Sequence, residues 1–167
     1  MAHLIYFSRS RCTTVEESSE GIMTCACRIT DNLLDARVQI QAALPDLEIM
    51  VVNSRIDHCL IDGMATAENK LQSLLGVRIG PGMLKIIKGL MGDEPACTEL
   101  AYMAEECCQG AILSLTRKEL EKAPRNPEDS RDHFSEMVKT NIRLYNRCVA
   151  FSEGSTILEG IEIPGSK

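Results

Sequence analysis

The chain has no tryptophan, and its 167 residues include only three tyrosines, three phenylalanines and three histidines. Basic residues are outnumbered, with 18 Lys and Arg against 24 Asp and Glu, for a formal net charge of −6 and a pI of about 5.1. A nucleic-acid surface neutralises phosphates with Lys and Arg and stacks bases on rings, so no nucleic-acid partner is expected. No stretch approaches the roughly 18 apolar residues that span a bilayer. The only continuous apolar run in residues 1–11 is 4–7, too short for a secretory signal. These absences point to a cytoplasmic chain with no membrane span.

What is present is a globular composition, 44% hydrophobic and 25% charged, in a chain long enough for one core without disulfides. The eight cysteines are irregularly spaced in too long a chain for a disulfide scaffold. They read as reduced thiols, metal ligands or small buried hydrophobes.

The first sixty residues carry strand patterns. In 36–44, Val38, Ile40, Ala42 and Leu44 alternate with Arg37, Gln39 and Gln41, the period of a half-buried antiparallel strand. Pro45-Asp46 turns the chain, and 47–57 continues the pattern with Ile49, Val51 and Val52, predicting a hairpin. Strands over 3–14 and 22–30 complete a four-stranded meander. Helical signals follow: one helix from Asp62 or Gly63 through Leu75, ended by Gly76; a second over 83–91; and a third that starts at Pro95 and runs to about Leu115. The third has Leu100, Met103, Ala104, Cys107, Ala111 and Leu115 on its apolar stripe. This is an α+β layout, a meander over 3–57 followed by helices on one face. The chain divides into an α+β domain over 1–123, a polar linker over 124–131 and a C-terminal helix and tail over 132–167. In the last piece, a helix over 132–151 would bury Phe134, Met137, Ile142, Tyr145 and Val149, and 157–163 alternates like a strand.

Cys97 falls in the first turn of the third helix, where unpaired N–H groups and the macrodipole favour a thiolate, and Glu99 shares that turn as a further ligand or a base. The competing reading is a small buried residue. Asp57-His58-Cys59 groups three donors at a strand end, alternatively only a polar strand terminus. Cys25-Ala26-Cys27 puts two thiols on one strand face, but no second Cys or His pair in the sequence completes a metal site. Cys107 reads as core. Gly80-Pro81-Gly82 lacks the Gly-Lys-Ser/Thr ending of a phosphate loop and reads as a turn.

The stretch Leu74-Leu75-Gly76-Val77-Arg78-Ile79-Gly80-Pro81-Gly82, with Leu90-Met91-Gly92 and Ala96-Cys97-Thr98-Glu99-Leu100, resembles a bacterial domain-of-unknown-function family numbered twenty-eight eighty-nine. The resemblance covers about residues 5–115. Many members of that family have a histidine where this chain has Glu99, and the segment after about Pro124 is an addition to it. The order of a hairpin, Cys59 before a helix and Cys97 at a helix start is also similar to the iron–sulfur cluster scaffold family. That similarity places Asp35, Cys59 and Cys97 on three ligand positions, with Leu33 replacing the remaining cysteine and Ala96 a histidine. What it implies is a zinc or iron site, or an iron–sulfur-related one, built from Asp35, Cys59 and Cys97 with His58 or Glu99.

Three readings follow. The first is a non-catalytic accessory or binding protein with a metal or thiol-reactive ligand around Cys59 and Cys97. The second is a structural subunit of a larger protein complex or a homo-oligomer, without metal. The third is an enzyme with Cys97 as nucleophile.

Overall fold

The structure is a computed structural model that describes residues 5–140, 144–146 and 148–160. Its chain divides into two compact units, Met1–Leu115 and Thr116–Lys167. The first has the expected α+β architecture. Four strands, β1 (Ser10–Glu17), β2 (Ile22–Thr30), β3 (Leu34–Ala43) and β4 (Glu48–Cys59), form one antiparallel sheet in chain order. Three helices follow: α1 (Met64–Leu71), α2 (Met83–Met91) and α3 (Pro95–Lys122).

Period-two alternation decides the buried face. Met23, Cys25, Cys27 and Ile29 on β2, and Leu34, Ala36, Val38, Ile40 and Ala42 on β3, are fully buried. Leu71 from α1, Ile87 and Met91 from α2, and Leu100, Met103, Ala104, Cys107 and Ala111 from α3 complete the same core. Not one aromatic ring belongs to it. The alternate residues form the opposite face of the sheet, where Cys12, Arg28, Arg37 and Arg55 stand exposed and in register across the four strands.

Several boundaries differ from those the sequence predicts. The first strand is 10–17 instead of 3–14, of which residues 3 and 4 lie outside the described residues. On β4, irregularities opposite Gln41/Ala42 and Asp35/Ala36 change the phase of the strand. Ile49 and Val52, three apart, therefore both point inward, while Met50 between them is 56% exposed and Val51 only half-buried. The first helix ends at Leu71 and tightens into a 3₁₀ turn over Gln72–Leu74. Residues 76–79, where the sequence marks only the helix stop at Gly76, run beside the start of β4. The N–H of Ile49 donates to Val77 O and that of Gly76 to Ile49 O, each at 2.9 Å, and Glu48 bridges Arg78. Gly82, at φ 83°, then turns the chain into α2, a conformation that glycine adopts without a Cβ penalty.

The third helix continues past Leu115 to Lys122, so the change of unit falls inside it. In the second unit, helix α4 is Pro127–Thr140, so most of the expected 124–131 linker, from Pro127 on, is helical. Pro127 suits a first helical turn, where its missing N–H costs nothing. Val138 and Ser135 are the buried positions of α4, and Ser135 Oγ donates to Ile157 O at 2.6 Å. Helix α4 stops well before Phe151. Val149 is 88% exposed, Ile142 and residues 161–163 lie outside the described residues, and 157–160 forms turns instead of a strand.

Candidate functional site

Of the five residues singled out for a metal site, Asp35, Cys59, Cys97 and Glu99 have partners of other kinds. Cys59 ends β4 with its side chain on the inner face, where Sγ accepts from the N–H of Ile61 at 3.2 Å and donates to Ile61 O at 3.3 Å. Asp35 and His58 face each other across β3 and β4. The Arg28 guanidinium grips the Asp35 carboxylate with two bonds of 3.0 and 3.1 Å, and Thr30 Oγ1 adds a third at 3.2 Å. These contacts, Arg28 foremost, hold the Asp35 pKa below its ordinary value. Glu99 accepts from Arg9 at 3.3 Å. Among the described residues, no three His, Cys, Asp or Glu side chains form a group able to hold a metal ion.

Cys97 does lie in the first turn of α3, but the expected depression of its pKa is reversed. The residue is 1% exposed, and burial, helped by a hydrogen bond with Glu94, raises the thiol pKa more than Lys70 lowers it. Lys70 Nζ is bonded to Glu94 Oε2 at 2.6 Å, so its charge is shared with that carboxylate. With its pKa raised above the ordinary thiol value, Cys97 stays a neutral thiol at pH 7.

The pair Cys25 and Cys27 meets Cys107 and Cys108 where β2 packs on α3. Burial drives these thiols upward, Cys25 to about 11 and Cys108 to about 12. Cys107 donates weakly to Val38 O at 3.7 Å. All eight cysteines are free.

The open site of the first unit lies where β1 meets α3. A cleft of about 470 Å³ is lined by Arg9, Arg11, Thr98, Glu99 and Tyr102. Arg9 crosses from Asp31 in the β2–β3 turn, at 2.6 Å, to Glu99 on α3. The Asp31 side chain is fully buried and also accepts the N–H groups of Leu33 and Leu34 at 2.6 and 2.8 Å. Desolvation works against its charge, but these N–H groups and Arg9 outweigh it and hold its pKa below the usual carboxylate range. Arg11 lies 5.0 Å over the Tyr102 ring and 3.3 Å from Glu106, while Arg9 lies 5.8 Å from the Phe7 ring. Asn32 Nδ2 donates to Tyr6 O at 3.3 Å, bringing Tyr6 to the same end of the sheet.

Tyr6, Phe7 and Tyr102 are the only aromatic residues among 1–115, and they are 84%, 55% and 40% exposed. Leu33 and Leu60, joined by a backbone bond of 2.8 Å, add two exposed leucines at this end. Of this group, sequence reasoning chose Glu99 alone as a candidate site residue. Arg11 shares a strand face with Thr13 and Val15, a signal present in the alternation, but Arg9–Asp31 closes over 22 positions with no local mark. Comparison with protein-family models, curated proteins and solved structures gives no match for this chain.

Proposed function

We propose that this chain is a non-catalytic binding or accessory protein that engages another protein at the cleft between β1 and α3. One observation carries the reading: Tyr102 lines that cleft under Arg11, Phe7 stands exposed beside Arg9, and Tyr6 is exposed at the same end of the sheet, while the core beneath uses only aliphatic and sulfur-containing side chains. Protein interfaces concentrate Tyr, Phe and Arg, the rings because each buries a large area at small entropic cost and Arg because its planar guanidinium makes several hydrogen bonds and stacks on rings. A cytoplasmic setting, which keeps thiols reduced, suits eight free cysteines. The neutral, buried Cys97 favours this reading over a nucleophilic enzyme.

A photo-crosslinking residue placed at Tyr6, and as control at exposed Lys85 on α2, tests the proposal in cells. The expected result is a discrete adduct from position 6 alone that disappears in Phe7→Ala/Tyr102→Ala. Equal adducts from both positions, or none from position 6, would overturn it. Elemental analysis of untagged protein tests the metal reading: near-stoichiometric zinc or iron, lost in both Cys59→Ala and Cys97→Ala, would replace the interface proposal by a metal site.

A further inference from the structure

The face of the sheet turned away from the core carries a row of like charges. Arg28 on β2, Arg37 on β3 and Arg55 on β4 are direct cross-strand neighbours, and all three are exposed. Paired strands lie only about 4.8 Å apart, and like charges directly opposite on an antiparallel ladder repel. The two outer members of the row are compensated. Arg28 engages Asp35 through Nε and Nη2, and Arg55 Nε donates to Asp57 at 2.8 Å. Arg37, between them, is not. Among the described residues it forms no ion pair, and its guanidinium reaches only the neutral Gln39 Oε1, at 3.5 Å. The next row on this face, Thr14, Ala26, Gln39 and Asn53 in register, carries no charge. A chain of net charge −6 thus sets three guanidiniums against two carboxylates here.

The row matches carboxylates spaced along a helix. It spans two strand intervals, roughly 10 Å. Acidic side chains at i, i+4 and i+7 of an α-helix share one face and rise by about 6 and 10.5 Å. Laid across the strands, such a helix sets its middle carboxylate on Arg37. Its outer two reach Arg28 Nη1 and the Nη groups of Arg55, which the bonds to Asp35 and Asp57 leave open. A guanidinium fork binds a carboxylate through two parallel N–H donors, the strongest of the common charge-assisted pairs. A long polyanion fits less well. Asp35 and Asp57 adjoin the row, and the four strands hold no Trp, Tyr or Phe on which bases could stack.

We infer that this face docks an acidic helix of a partner protein on the row Arg28–Arg37–Arg55, with Arg37 the charge that the partner neutralises. The inference goes beyond the proposed binding role, because the cleft is built by Arg9, Arg11 and α3 on the other side of the sheet.

Titration of the isotope-labelled full chain at low ionic strength with two synthetic Ala-based helical peptides tests it, one with Glu at i, i+4 and i+7, the other with Gln there. The expected result is saturable shifts of the Arg28, Arg37 and Arg55 Nε–Hε signals in the NMR spectrum with the Glu peptide, and binding at least about tenfold weaker with the Gln peptide. Arg37→Gln should weaken the Glu peptide by a similar factor without lowering Tm, since it removes a like charge that has no acid partner in the free chain. Phe7→Ala/Tyr102→Ala should bind the peptide as the parent does, which separates this face from the cleft. Binding indifferent to Arg37→Gln, equal binding of the two peptides, or a fall in Tm in Arg37→Gln would each overturn the inference. So would tighter engagement of the row by inorganic phosphate or a single-stranded oligonucleotide than by the Glu peptide.

Discussion

The two units of this chain use their few aromatic rings in opposite ways. In residues 5–115 the rings stand outside and the core is built from Met, Leu, Ile, Val, Ala and Cys, with Met23, Met91 and Met103 among its largest fully buried members. In the second unit the rings are packing elements. Phe134 meets His133 edge-on at 5.2 Å and Phe151 at 6.3 Å, beside a small buried set of Val138, Leu158 and Ser135. A core that closes on aliphatic and sulfur side chains leaves its aromatics free for contact. A unit with only a few buried residues has no such surplus.

Substitutions can break this contrast. Leu100→Ala removes a fully buried side chain from the first core and should cost about 3 kcal/mol, read by urea unfolding. Asp31→Ala should cost about 2 kcal/mol, since it strips a carboxylate from Arg9 and two backbone N–H groups. Because the folded pKa of Asp31 is lowered, its contribution is complete above the unfolded value of about 4 and is lost as pH falls through the folded one. The gap between parent and Asp31→Asn should therefore narrow in acid, and a gap that widened would mean that the carboxylate is not the stabilising form.

The paired test of the comparison is Phe134→Ala against Phe7→Ala. The half-buried ring of α4 should cost about 1–2 kcal/mol and the exposed one under about 0.5 kcal/mol. Equal losses would show that the outer rings hold the fold and would remove their availability for a partner. Iodoacetamide sharpens the same division between surface and core. Exposed Cys12 and Cys148 should alkylate first, with Cys97, Cys25 and Cys107 reacting far more slowly. Fast modification of Cys97 would restore the enzyme reading. The smallest effect is expected from Arg117→Ala, which breaks an exposed pair with Glu121 one helical turn away and should cost only about 0.3–0.5 kcal/mol.

Much of the fold was legible because its signals are local. The alternation of Val38, Ile40 and Ala42 and the stripe of Leu100, Met103, Ala104, Cys107 and Ala111 each become one face of the core. The phase of β4 was not legible, since nothing at Met50 announces that two residues there oppose one on β3. The candidate site was read less well. Asp35, His58, Cys59, Cys97 and Glu99 were chosen for their chemistry, but each side chain's chemistry is set by its neighbours, and those come from 2 to 90 positions away.

What the sequence determined by itself was the order of strands and helices and the face that β2, β3 and α3 turn inward. Those follow from periodicity and turn residues, which act over a few neighbours. Only the tertiary structure decided that Cys97 is a buried neutral thiol, that Glu99 receives Arg9, and that Phe7 and Tyr102 stand beside Arg9 and Arg11. Burial and charge pairing depend on which distant segments meet, and that is fixed when the sheet closes on α3.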